Sequence, residues 1–460
     1  MLNTKAALRR IKFWWLLLWA YFKRYKIWAT ALIALTLIIG FLTYKLFINL
    51  NHSNTLSIGY VGTFTVENIP TSLLSLATEP LIAADISGRP VPRLASHWTV
   101  SDDGKTYIVF LKDNLHWHDT TNLEAKDLSI AISGVQITAL NNKAIEFKLP
   151  NPIPSFPLLL DKPVFKAKTF YGTGIYRITG IDKIENFVKK IRLTPKNKNF
   201  PNVVIKFYAT EEQAINALKI GDTKRVTVAN AAHLENWPNL NVEKIPENNE
   251  IVTIFYNTQD PNLISKEFRQ ALSYGINYAE FDGIAATGPI SPASWAYALS
   301  LKHYEYNTGK AKELLSKAQI KDPKIVLSVT ADLENVAKKI KNDWENLGVK
   351  TEIKIEEKVP ENFQALLAIN ELDADPDQYA LWHSTQQETN ITKLKDAKVD
   401  KLLEDGRLMQ KEEKRKELYE NFQKVLIEQA PASFLYHPYK YKITYKNSQN
   451  LFSRLPSSEF

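Results

Sequence analysis

The segment DADPD sets Asp373, Asp375 and Asp377 at alternate positions, and Tyr379 and Trp382 follow closely. Carboxylates so placed accept charge-assisted hydrogen bonds, and the two aromatics offer apolar walls with a polar tip. Each has a plainer role as well, since an Asp before Pro is common turn chemistry and Tyr379 and Trp382 also serve as packing. Trp295, on a loop after GPISPAS, is a similar candidate.

Other patterns point to chemistry less well. His116 and His118 in HWHD stand at i and i+2, which puts them on one face of a strand, but no third metal ligand is evident. GTGIY at 172–176 lacks the Lys and following Ser or Thr of a phosphate-binding loop. G-x-S-x-G, HExxH and HxE with paired Cys are all absent, and no acid and base can be assigned among the many Asp and Glu residues. The chain therefore reads as a non-enzyme that needs no cofactor or metal.

Charge is informative once it is located. The formal +8 lies entirely in residues 1–50, which hold Lys5, Arg9, Arg10, Lys12, Lys23, Arg24, Lys26 and Lys45 and no acid. The remaining body is formally neutral, so it has no basic footprint for nucleic acid. The chain has no cysteine, which excludes disulfides, thiolate metal sites, a cysteine nucleophile and a lipid-modified Cys.

Any anchor must then be polypeptide. Ile27 to Tyr44 carries no charge and apolar residues resume after Lys45, so 27–48 reads as a transmembrane helix, roughly 20 residues being enough to span a bilayer. Basic residues precede it, which places the amino terminus in the cytoplasm and the body outside. The run is too long for a typical signal peptide and no A-x-A site follows before Asn51, so the anchor is expected to stay uncleaved. The stretch from Phe13 to Phe22 is too short to cross and suits the cytoplasmic interface.

Beyond a polar connector at 49–55 the body alternates strands and helices, an α/β pattern without repeats. Strands are expected at 106–111 after the SDDG turn, and at 144–149, 203–208, 251–256 and 324–330. Thr121 with Glu124 and Thr210 with Gln213 have the spacing of helix-starting capping boxes. Leu333, Val336, Ala337, Ile340, Trp344 and Leu347 make one buried helical stripe. With the alternating VKTEIKIE after it, 324–356 reads as strand, helix, strand. A charged helical stretch at 397–429 precedes the strand SFLYH.

Several segments, in order, resemble the extracytoplasmic solute-binding proteins of oligopeptide, dipeptide and nickel importers, solute-binding family 5. They are residues 79–119 from EPLIAADISGRP to LHWHD, LEAKDL at 123–128, GTGIYRI, and IFYNTQDPNLISKEFRQALSYGIN at 254–277. YEYNTGKAKELLSKA, DADPD, VDKLLEDGR at 399–407 and RKELYENFQKVLIEQAP at 415–431 continue the series. Only about 45 residues separate Asp127 from Gly172, fewer than the family usually has there.

The resemblance implies a two-lobed periplasmic-binding-protein-like fold, type II and similar to cluster C, with mixed sheets and crossing strands between the lobes. Lobe I would span 56–250, with a shortened subdomain at about 76–170, lobe II 251–438, and 439–460 would return to lobe I. A peptide or similar small polar solute would be enclosed as the lobes close and handed to an ABC permease with its ATPase subunits, the receptor acting as a monomer. In peptide-binding relatives a carboxylate just ahead of the DP dipeptide pairs with the ligand's α-amino group, a position that Asp373 or Asp375 fits best here. Arg269 and Asn257 match structural positions. A sensor or scaffold without transport would use the same fold.

Overall fold

The computed structural model describes residues 54–455 without interruption and, ahead of them, residues 12–16, 20, 23–24, 30 and 34–45. Among the described residues no helix is long and apolar enough to cross a membrane, and part of the expected span at 27–48, residues 27–29, 31–33 and 46–48, lies outside them. Residues 34–45 are helical, and their apolar side chains, Leu37 and Ile38 among them, stand exposed.

Two lobes share one twelve-stranded mixed sheet. In the first, Thr55–Val61 runs parallel to Asn202–Tyr208 on one side and Arg225–Val228 on the other, with Phe187–Pro195 and Tyr176–Ile184 extending it antiparallel. Leu56 and Ile58 point into a core shared with Ile191, Leu193, Val203 and Ile205. In the second, Glu250–Tyr256 is sandwiched antiparallel between Ala365–Glu371 and the start of Ala432–Tyr445. This strand is apolar almost throughout because both faces are covered: Val252, Ile254 and Tyr256 enter one core, Ile251 and Phe255 another.

The expected strand, helix, strand unit is present as Lys324–Thr330, Glu334–Asn346 and Lys350–Glu356, the two strands parallel. Ala337, Ile340 and Trp344 bury its stripe, and Trp344 Nε1 donates to Leu272 O at 3.1 Å. An outlying four-stranded antiparallel sheet of Ala95–Val100, Thr106–Leu111, Ala144–Lys148 and Gln136–Asn141 forms the small subdomain. Beside it stands the hairpin Ile82–Ala84 and Pro90–Pro92, whose Ile82 enters the same core.

Capping logic succeeds once and fails once. Thr210 accepts from Gln213 N–H at 3.3 Å and starts helix Glu211–Lys219. At the other site the side chain of Thr121 turns back to Asp119, and the box forms between Glu124 and Asp127 around a single 3-10 turn, Ala125–Asp127. The charged stretch at 397–429 is two helices, Ala397–Leu408 and Glu412–Gln429, broken at Met409 and Lys411, which are extended.

Ala432–Tyr445 ties the lobes together. Residues 432–436 pair with Glu250–Tyr256 and 436–438 with Gly283–Ala285, whereas 439–445 pair with Leu240–Pro246 in the first lobe. The turn Glu247–Asn249 joins those partners, so two chain crossings connect the lobes side by side. Glu247 N–H donates to Pro438 O at 2.8 Å, His437 Nδ1 lies 2.8 Å from Glu250 O, and Lys440 Nζ pairs with the Glu250 carboxylate at 2.9 Å.

Candidate functional site

The loop after Ala365–Glu371 leaves its sheet at this crossing, where Leu372 N–H donates to Asn249 O at 2.7 Å. Asp373 follows with an exposed side chain. Asp375 turns inward instead, and its carboxylate accepts from Arg415 Nη1 and Nη2 at 2.9 and 2.7 Å and from Asp377 N–H at 2.9 Å. Arg415 also donates from Nε to Gly406 O at 2.9 Å. Burial works against its charge, and the Asp375 bonds more than offset that, holding the guanidinium above its ordinary range.

Asp377 accepts from Tyr379 N–H at 3.0 Å and pairs with Arg407 Nε at 2.9 Å. Burial dominates and pushes its carboxyl above the usual value despite those partners. The Arg407 guanidinium lies 4.3 Å over the Tyr379 ring, which stacks on His383 at 4.0 Å. Trp295 is buried, edge-on to Tyr419 at 6.5 Å and 5.6 Å from the Arg415 guanidinium. Trp382 is fully buried, packs against Phe255 and Phe434, and donates from Nε1 to Gln378 Oε1 at 2.8 Å.

Of the five candidates, then, Asp375 and Trp295 gather around Arg415 and Tyr379 around Arg407. Trp382 lies in the second lobe's core and offers no surface, and Asp373 presents an exposed carboxylate. A cavity of about 350 Å³ separates this wall from the subdomain, with Asp377, Tyr379, Glu404, Arg407 and Arg415 on one side and Asn151, Pro152, Ile153 and Ser155 on the other.

Closer to the crossing, the first lobe contributes an aromatic cluster in which Tyr60, Phe64 and Phe207 meet edge to face, with centroids 5.4 to 6.2 Å apart. Burial raises the Tyr60 hydroxyl pKa; Glu247, Glu250 and Glu371 add to the rise, and Lys440 opposes it. Charges of the crossing and of the second lobe thus act on Tyr60 together.

The histidine pair separates. His118 accepts Gly172 N–H at Nδ1, 3.1 Å, and donates from Nε2 to Gly174 O at 3.0 Å, which clamps the GTG turn. His116 Nδ1 sits 2.9 Å from Asn114 O. Among the described residues no group of three His, Asp or Glu could hold a metal. Arg269 spends its guanidinium on the carbonyls of Leu263, Ile264, Gln429 and Ala430, a structural use that fits its expected role.

Sequence reasoning passed over Arg407, Arg415 and Tyr60. For Arg415 a signal existed: Arg415, Tyr419, Phe422 and Leu426 recur at helical spacing, which places the arginine on the buried face. Nothing comparable marks Tyr60, whose surroundings come from distant segments.

Comparison with known proteins agrees with this architecture. A family model described as bacterial extracellular solute-binding proteins, family 5 Middle, matches residues 89–132 and 128–391. The dipeptide-binding protein of Escherichia coli K12 is 23% identical, with 75% of this chain and 81% of that protein covered. A probable di/tripeptide-binding protein of Pseudomonas aeruginosa is 25% identical, with 79% and 84% covered. Among solved structures, a nickel ABC transporter protein from Bacillus halodurans superposes with a TM-score of 0.73 at 18% identity, covering 86% of this chain and 95% of that one. The oligopeptide-binding protein AppA from Bacillus subtilis, in complex with a nonapeptide, gives 0.63 at 20% identity, covering 85% and 94%. With two lobes joined by crossing strands and a family match over more than half its length, the chain belongs to the bacterial extracellular solute-binding proteins of family 5.

Proposed function

We propose that this chain is the substrate-binding component of an ABC importer, held outside the cytoplasm by a helix at 27–48 and taking peptides or a similar small polar solute between its lobes. In this reading residues 56–250 and 439–460 form the first lobe and 251–438 the second. The observation that carries it is the double crossing at Glu247–Asn249 and Pro438, about which the two lobes of the shared sheet would swing and so enclose a ligand. Dipeptide and di/tripeptide binding by the relatives supports peptides as the first class to test.

Asp373 is the better of the two amino-group candidates, because its carboxylate is exposed whereas that of Asp375 is taken by Arg415. Tyr379 stays a candidate wall residue through its place on the cavity between the lobes. The relatives are binding proteins, and no catalytic step is proposed. Calorimetry of the full chain in detergent against di- and tripeptide libraries tests the reading, together with mass spectrometry of co-purifying small molecules. Saturable binding with one peptide per chain is expected; flat titrations across peptides and nickel chelates alike would refute it.

A further inference from the structure

The hairpin tip Asp85–Arg89 reaches from the subdomain to the second lobe. Asp85 builds the tip, its Oδ1 accepting from Ser87 N–H, Ser87 Oγ and Arg89 N–H at 2.7 to 2.9 Å. The tip makes three contacts across the gap. Ser87 O accepts from Trp295 N–H at 2.9 Å, Arg89 Nε pairs with Glu412 at 2.9 Å, and Gly88 lies against the carbonyl of Ala374. Ala374 stands between Asp373 and Asp375, so the tip docks on the same loop that carries the candidate binding residues.

We propose that this tip is a clasp that holds the lobes shut through protein contacts alone, and that Gly88 is the residue that lets it seat. The inference rests on the two-lobed reading but not on peptide as the ligand. Gly88 has φ +82°, and a Cβ there would overlap the Ala374 carbonyl oxygen. These two restrictions separate cleanly. Backbone strain from a side chain is present whether the lobes are open or shut, so it cancels from the closure equilibrium; the collision with Ala374 exists only when they are shut. The Arg89–Glu412 pair contributes less, because both side chains are nearly half exposed, at 43% and 48%. Its part is orientation of the tip.

A clasp of this kind sets the fraction of molecules competent to retain a ligand, and the apparent affinity scales with that fraction. The absence of cysteine permits a direct test on the full chain. Leu140→Cys in the subdomain and Val359→Cys in the second lobe, both exposed, carry spin labels for distance measurement without added peptide. Gly88→Asn tolerates positive φ yet carries the Cβ, and Gly88→Ala carries both burdens.

Either variant should lower the closed-to-open ratio about tenfold, as expected for a backbone collision confined to one state. Glu412→Arg should lower it about two- to fivefold, and Arg89→Glu combined with Glu412→Arg should restore it. Distance distributions identical to the parent in folded Gly88→Asn and Gly88→Ala chains would overturn the clasp. Because no peptide is present, a failure to bind peptide would leave this result standing.

Discussion

Asp375→Asn separates structural from ligand-binding use of the acidic loop. Asp375 and Arg415 are 15% and 8% exposed at their side chains, so the substitution leaves a guanidinium without its counter-charge in a largely dry site. Removing one partner of such a pair costs about 3–5 kcal/mol. Arg415 keeps its bonds to Gly406 O and Tyr419 OH, which points to the lower end, about 3 kcal/mol. For a lobe of this size that lowers its melting temperature by about 6–12 °C. Scanning calorimetry of the full chain should show the loss in the transition of the second lobe, and Asp375→Leu combined with Arg415→Met should recover part of it, since an apolar replacement of both partners leaves no buried charge. A variant that melts within about 2 °C of the parent while its affinity collapses would refute the reasoning, and would return Asp375 to the role of ligand anchor.

Asp373→Ala, at an exposed position, should leave the melting temperature unchanged and weaken peptide binding about tenfold or more in calorimetry, the loss expected for a charge-assisted bond. His118 predicts acid sensitivity: burial, more than the nearby Lys196 and Arg177, lowers its pKa below the ordinary value, although the bond to Gly174 O pulls the other way. Its contribution is therefore fully present above about pH 6.5 and is lost as pH falls through the lower folded value. Thermal melts between pH 7.5 and 5 should show a shallower acid decline in His118→Asn than in the parent. Thr210→Ala, which removes the cap of Glu211–Lys219, should cost about 1 kcal/mol in denaturant unfolding of the first lobe.

The sheet strands were legible because their chemistry is local. IVTIFY at 251–256 is apolar enough to be buried on both faces, and Trp344 with Ile340 and Ala337 shows a helical stripe that nothing contradicts. Thr121 misled because a capping box needs only four residues, whereas the helix behind it needs an apolar face, and LEAKDL supplies Leu123, Ala125 and Leu128 to a loop packed on the subdomain core. The site was less legible than the fold for the same reason. DADPD announces carboxylates, but whether each is free depends on Arg407 and Arg415, thirty and forty positions along the chain. Tyr60 gains its meaning only from Glu247, Glu250 and Glu371.

The location of the clasp relative to the crossing decides how the lobes can move. Ala432–Tyr445 is one continuous strand, and a continuous ladder resists bending, so motion must fall where the ladder is thinnest. Between Tyr436, the last partner of Val252, and Tyr439, the first partner of Pro246, the strand pairs only with the short Gly283–Ala285. Pro438 in that interval has no N–H to give, which removes one ladder bond at the handover. The opposite crossing needs the Glu247–Asn249 turn for the same change of sheet. Both chain crossings therefore leave the regular strand ladder at one level, and the clasp reading puts the axis of opening there. Leu372 is bonded to Asn249 at that axis, while Ala374, two residues further along the same loop, meets Gly88 of the clasp. Rotation that frees Gly88 must swing the Asp373–Asp377 loop away from the subdomain while its root stays fixed, so opening the clasp and carrying the already exposed Asp373 away from the first lobe are one movement.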